Sequence, residues 1–214
     1  MSQRAAAFLF LKVSLRSEVL RSYSYPFSLD VKDMYTSIPS KEAIDLLYHK
    51  LCQDNFCYQG LLPIDIKELL GVLFDNNFLR FGNLYYKQTS GLPMGNKLSA
   101  LLAGVFMDRL EAPVVQQLNL PFYMRYVDDC ILLTKDDLEA TLAFDRFNNV
   151  HHDVKFEMEK PSNGRSLSLL DFTVSIVEGK ATVQPFIKAV RSDVMFNGNT
   201  ALPTRMKNSI VINE

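Results

Sequence analysis

Cysteine and histidine are scarce in this sequence, neither sign of charge is in excess, and no apolar run is long. Each shortage excludes something. The three cysteines, Cys52, Cys57 and Cys130, are odd in number and follow no metal-ligand spacing. A disulfide framework and a zinc site are therefore excluded, and a reducing compartment is expected. Cys52 and Cys57 are expected to pack as small hydrophobes around a helix end. His49, His151 and His152 show no spacing that gives them partners, which assigns them to the surface. Lys plus Arg number 23 against 24 for Asp plus Glu, a formal net charge of -1, so no global basic field draws the chain onto polyanions. With 48% apolar and 22% charged residues, disorder is excluded as well. The apolar run Ala5–Leu11 follows Arg4, but Lys12 and Arg16 interrupt it and no small-residue cleavage site follows. No run is long enough to span a bilayer, so the expectation is an intracellular chain, in nucleus or cytoplasm, with no membrane association. There is no internal repeat and no Gly/Ser linker, and the 214 residues read as one continuous domain.

The pattern along the chain is legible in outline. Phe27–Val31 reads as a short strand with a turn through Ser37–Ser40. Ile44, Leu47, Tyr48 and Leu51 recur at helical spacing, with Ser40 placed to cap. A second helix starts near Pro63 with Ile66, Leu69, Leu70 and Leu73 on one face. Phe78–Phe81 and Leu84–Lys87 flank Gly82–Asn83, a two-residue hairpin signal. A Gly-rich loop, Ser90–Asn96, opens a helix carrying Leu98, Leu101, Leu102, Val105 and Leu110. Phe122–Val127 and Cys130–Thr134 read as strands joined tightly at Asp128–Asp129, and Asp136 or Asp137 caps a helix through Phe147. Val154, Phe156 and Met158 alternate with Lys155, Glu157 and Glu159 as a half-buried strand. Thr173–Val177 and Ala181–Phe186 make a last hairpin. This order is the split β-α-β-β-α-β arrangement of ferredoxin-like antiparallel sheets, an α+β fold with helices on one face and an extra hairpin between them.

Two acidic segments carry the chemistry, Asp30 with Asp33 after the first strand and Asp128-Asp129 at the tight turn. In this strand order Asp30 faces Asp128 and Asp129 across a few ångströms. Clustered carboxylates repel unless a cation lies between them, and all-oxygen ligands favour Mg²⁺ or Mn²⁺. The carbonyl of Val31 is an additional candidate ligand. Two such ions are what an in-line phosphoryl displacement uses. Each piece alone has an ordinary explanation: an Asp pair is commonly a solvated turn, and Asp30 or Asp33 a cap. Their co-occurrence is the argument.

These segments resemble those of reverse transcriptases. Leu29-Asp30-Val31-Lys32-Asp33-Met34-Tyr35 resembles the first palm motif, Gln88 to Ser99 the Gly-rich second motif, and Tyr126-Val127-Asp128-Asp129 the catalytic dipeptide with its aromatic lead. Within the superfamily the chain is similar to Penelope-like retroelement enzymes in Met94 before Gly95, in Phe106-Met107 with Leu110-Glu111, in Leu169-Leu170-Asp171-Phe172, and more loosely in Lys188 and the stretch from Asn197 to Lys207. The resemblance implies a polymerase palm over 26–165, preceded by an N-terminal segment 1–25 with the fingers largely missing. It implies a primer-grip hairpin and the start of a thumb over 166–214. It implies that Asp30 and Asp128 bind two Mg²⁺ ions, with Mn²⁺ as the substitute, and that Asp129 assists. Tyr35 would be the gate at the ribose 2′ position. Met94 and Gly95 would line the nascent base pair. Lys160 would donate a proton to pyrophosphate, and Leu169, Leu170, Asp171 and Phe172 would grip the primer. The partners implied are an RNA template, a DNA primer and deoxynucleoside triphosphates. Simpler roles stand beside these: Tyr35 as a core aromatic, Ser90–Asn96 as a plain loop, Lys160 as a solvated charge. The chain departs from the family at Asn96-Lys97, where Ser-Pro is frequent, at Ala100, where Pro is common, and at Leu170, where Phe is usual. The expectation is an RNA-directed DNA polymerase fragment; the rival is an inert remnant or repurposed nucleic-acid-binding module.

Overall fold

The first strand, β1 (Tyr25–Val31), is apolar almost throughout because both of its faces are covered. The computed structural model describes residues 17–169 and 172–186. Around β1 the chain runs α1 (Ser17–Ser22), β1, α2 (Met34–Ser37), α3 (Ser40–Gln53), α4 (Pro63–Asp75), β2 (Phe78–Phe81) and β3 (Leu84–Lys87). It continues through α5 (Lys97–Gln117), β4 (Tyr123–Tyr126), β5 (Asp129–Thr134), α6 (Asp137–Asn148) and β6 (Phe156–Glu159). The last strands are β7 (Ser166–Leu169), β8 (Phe172–Val177) and β9 (Lys180–Pro185).

The central sheet has the order β4-β5-β1-β6, with β1 antiparallel to both neighbours. This is the split arrangement the element order requires, and β2–β3 forms the separate hairpin between the helices. Gly82 sits at the first turn position of that hairpin with φ 61, where its missing Cβ costs nothing. On one face of the sheet Phe27, Leu29, Val31, Cys130, Leu132 and Phe156 pack with buried residues of α3, α5 and α6, including Ile44, Phe106 and Phe147. The other face holds a second core: Ile131, Leu133 and Phe122 pack on Leu167, Leu169, Val174 and Ile176 of the sheet β7-β8-β9, and on Leu20 of α1. The main helices thus share one face, while β7 and β8 contribute to a core on the other.

Several sequence expectations shift. The tight turn lies at Val127-Asp128, one residue earlier than the sequence suggests, and Asp129 is already paired in β5. Ser40 does not cap; Pro39 holds the N-cap position without a side-chain bond. Pro63 does begin α4, where the Asp65 carboxylate accepts the Leu62 N–H at 2.8 Å. Its buried residues, however, are Leu70 and Phe74, while Leu69 and Leu73 are exposed. In α5 the buried stripe is Ser99, Leu102, Ala103, Phe106, Met107, Glu111 and Val114, and Leu98 and Leu101 face outward. Leucine spacing misleads there because small and polar residues hold three of the seven inward positions. Asp136 caps α6, accepting the Glu139 N–H at 2.9 Å. Cys52 and Cys57 are exposed rather than packed, and only Cys130 is buried. His151 is half-buried, its ring edge-on to Phe106 at 5.3 Å, while His49 and His152 are exposed.

Leu133, 1% exposed between the two sheets, tests the second core. Leu133→Ala is expected to destabilise the chain by about 2–5 kcal/mol in urea unfolding. A cost under ~1 kcal/mol would mean that β7–β9 adds little to the core.

Candidate active site

The pairing of β1 with its neighbours determines where the acidic side chains stand. Asp30 lies directly opposite Asp129 on β5 and Glu157 on β6, so three carboxylates occupy one face at one level of three adjacent strands. Directly opposed residues have Cβ atoms about 4.5–5.5 Å apart, and like charges at that spacing repel. Asp128 stands beside this row at the turn, where its carbonyl accepts the Val31 N–H at 3.0 Å. Val31 itself is buried. Burial first, then the charges of Asp128 and Glu157, hold the Asp30 carboxyl above the usual carboxylate range. Lys32 offsets part of the repulsion through Glu157 at 3.3 Å, an exposed pair of modest strength.

Asp33 lies outside this row. Its backbone is left-handed at φ 49, and its carbonyl accepts from the Thr36 and Ser37 amides at 3.0 Å each, opening α2. Tyr35 follows on α2, partly buried against the helix-side core. The Gly-rich loop docks directly on it: the Leu92 N–H donates to the Tyr35 carbonyl at 2.6 Å. Gly91, at φ 79, lies so close to Thr36 that a Cβ would stand 2.8 Å from its Cα and its carbonyl oxygen. Gly95 has φ 85 but nothing within 4 Å of a Cβ, so within the chain its glycine is required by conformation and not by space. Met94 beside it is exposed. The loop is closed from below by Ser99, whose buried hydroxyl donates to the Pro93 carbonyl at 2.7 Å.

Lys160 is not brought to the aspartates. The register sets Ser28 against Glu159, which carries residue 160 toward the far end of β1. There its Nζ pairs with Asp137 at 2.6 Å, and Tyr25 donates to the same carboxylate at 2.7 Å. These two partners hold Asp137 below the usual carboxylate range. Lys160 here makes an ion pair that ties β6 to the start of α6. Of the expected primer-grip residues, Leu169 ends β7 and pairs with Phe172 at the start of β8. Leu169 is buried and Phe172 packs on the same core. Leu170, Asp171, Lys188 and the stretch from Asn197 to Lys207 lie outside the described residues.

Glu157, Gly91 and Arg125 join the site only in the fold. Glu157 is on the outward set of its strand, and only the pairing of β6 with β1 brings it beside Asp30. Nothing in the sequence separates Gly91 from Gly95. A different ligand set, His151, His152 and Asp153, brings its ligand atoms within 4.8 Å of one another. Both nitrogens of His151 are engaged, however, Nδ1 accepting the Asp153 N–H at 3.2 Å and Nε2 facing Glu42 at 3.4 Å.

The family of reverse transcriptases (RNA-dependent DNA polymerases) matches residues 5–161. The chain belongs to the reverse transcriptase family. Among its relatives is the telomerase reverse transcriptase of Euplotes aediculatus, 29% identical, with 51% of this chain and 12% of the relative covered. The reverse transcriptase chain is also similar in fold to apo telomerase from Candida tropicalis truncated from the C-terminal domain, with TM-score 0.60, 13% identity, and 86% of this chain and 40% of the other covered. Telomerase from Candida albicans, solved in complex with a three-way-junction fragment of telomeric RNA, gives TM-score 0.61 and 14% identity over 90% of this chain and 36% of that one. This chain therefore spans well under half the length of each of these proteins. Its fold is the polymerase palm, and no described helix is long and apolar enough to cross a membrane.

Two outcomes follow from the geometry. Alanine at either glycine strains a left-handed backbone by about 1–2 kcal/mol, but Gly91→Ala adds overpacking of about 1–3 kcal/mol. Gly91→Ala is therefore expected to unfold at clearly lower urea than Gly95→Ala. Equal midpoints would contradict the close docking. The raised Asp30 carboxyl means that the folded chain keeps this proton to higher pH than the unfolded chain. Its contribution to stability is thus most favourable in acid and falls as pH rises from the ordinary carboxylate range through the raised value. Asp30→Asn should raise the thermal midpoint of metal-free protein at pH 7 and not at pH 4. An equal shift at both pH values would contradict the raised carboxyl.

Proposed function

We propose that this chain is the palm of an RNA-directed DNA polymerase and joins deoxynucleotides to a primer 3′-hydroxyl on an RNA template. The observation that carries the proposal is the register that opposes Asp30 to Asp129 and leaves Asp128 at the adjoining turn. An all-carboxylate donor set at this site suits a hard divalent ion, Mg²⁺ with Mn²⁺ as substitute, rather than a softer metal. Asp30 and Asp128 would hold two such ions and Asp129 would assist. When bound, such ions acidify an attacking hydroxyl and neutralise charge on the leaving oxygen. The chain's own part is positional. Tyr35 is held by the Gly-rich loop at the end of β1, where its ring would meet the sugar and exclude a ribose 2′-hydroxyl. Exposed Met94 and uncrowded Gly95 leave room for a base pair to lie against the loop.

The retroelement assignment rests on the Penelope-like residues, Met94 before Gly95 and Leu110-Glu111 within α5. The similarity to a telomerase reverse transcriptase supports the coarser reading equally well. An inert remnant is the rival, because a palm alone positions template and primer poorly.

Primer extension on an RNA template separates them. Asp128→Ala should lower the extension rate on the order of a thousandfold, the scale of a lost metal clamp worth several kcal/mol. Undiminished extension by that variant would sink the mechanism, and a parent chain that stays silent even when fused to fingers and thumb would favour the remnant.

A further inference from the structure

Arg125 lies outside the carboxylate row, yet its guanidinium makes four hydrogen bonds beside it. Nε donates to Glu111 Oε2 at 2.8 Å, and Nη2 to Asp108 Oδ1 at 2.7 Å, with the Gly104 carbonyl at 3.5 Å. Nη1 donates to the Val127 carbonyl at 3.2 Å. Asp108, Glu111 and Gly104 all lie on α5, so one side chain of β4 ties that helix to the turn carrying Asp128.

The turn needs a tie. Val127 is β-branched and sits in the left-handed region at φ 61, a conformation that persists only where surrounding structure enforces it. The next residue's carbonyl accepts the Val31 N–H at 3.0 Å, so any relaxation of Val127 displaces Asp128 relative to Asp30. Charge neutralisation alone does not explain the arrangement. Glu111 is 3% exposed, and besides Arg125 the Tyr123 hydroxyl stands near its carboxylate without a well-formed bond to Oε1. A buried ion pair of this kind is weak evidence for stability. What the arrangement does provide is a planar fork aimed at two carboxylates and one turn carbonyl together, which lysine cannot reproduce.

We propose that Arg125 is a positioning residue: anchored on Glu111 and Asp108, it holds the Val127 carbonyl and thereby fixes Asp128 against Asp30 for divalent-cation binding. This rests on the palm reading for its purpose, though the brace itself does not require a metal.

The test uses the full 214-residue chain. Arg125→Lys keeps a cation beside Glu111 and removes the fork. The double variant Glu111→Gln with Arg125→Met removes brace and buried charge together, which guards against misfolding through an uncompensated carboxylate. Amide hydrogen exchange is followed by NMR on metal-free protein, and Mn²⁺ affinity by electron paramagnetic resonance. In both variants the Val31 amide should exchange about tenfold faster while other β1 and β5 amides keep their rates, and Mn²⁺ should bind about tenfold more weakly. Unchanged Val31 protection, or acceleration spread evenly over the sheet, would overturn the proposal. A parent chain with no Mn²⁺ binding removable by Asp30→Asn would sink the polymerase reading, while the Val31 result would still decide the brace.

Discussion

The antiparallel pairing of β1 with β5 is the constraint on which the remaining architecture depends. Six residue pairs run from Tyr25 with Thr134 to Asp30 with Asp129. Strand side chains alternate with a period of two, so a slip of one residue would exchange faces. Asp30 would turn into the helix-side core, and Phe27 and Leu29 would turn out of it. The register is therefore specified by the same burial that stabilises the fold. Phe27 and Leu29 are wholly buried against the helices, while Ile131 and Leu133 are buried against the second sheet. A sheet packed on both faces leaves no alternative register of similar energy, and the acidic row follows from that.

The row works against stability. Asp129, Asp30 and Glu157 stand side by side with Asp128 next to them, and Lys32 pairs with Glu157 at the edge of the row. The folded state must carry this repulsion, which a large hydrophobic core makes tolerable and a bound divalent cation would offset. The near-zero net charge of the chain conceals this local concentration. Composition averages over the surface, whereas a metal site depends on a few oxygens at one place.

The fold was legible in sequence because periodicity and turn chemistry are local signals. The order of strands and helices, the Gly82–Asn83 hairpin, Pro63 at a helix start and the Asp136 cap all rest on neighbours within a few positions. The motifs placed Asp30, Asp128 and Tyr35 by resemblance. What escaped were properties that exist only after chain-distant segments meet. Gly91 and Gly95 look alike until Thr36 arrives against one of them. Lys160 looked available until Asp137 and Tyr25 stood beside it. Glu111 and Arg125 are ordinary charged residues on α5 and β4 until the two elements pack. Leu98 and Leu101 mimic a buried face of α5 because the true inward stripe includes Ser99, Ala103 and Glu111.

The joints of the site are made largely from backbone. The Val31 amide meets the Asp128 carbonyl, the Leu92 amide meets the Tyr35 carbonyl, and Gly91 presses on the Thr36 main chain. Three distant segments are thus locked at the end of β1 with little reliance on side-chain bonds. This separates scaffold from chemistry. The carboxylates at Asp30 and Asp128 can change charge without cutting the links that hold their strands together, because those links use peptide groups that every residue supplies. The exception is the Val127 turn, where the backbone is strained and the link runs through the Arg125 side chain. At that one place the geometry of the carboxylates depends on a particular residue, and substitution there should loosen the metal site while the sheet around it keeps its order.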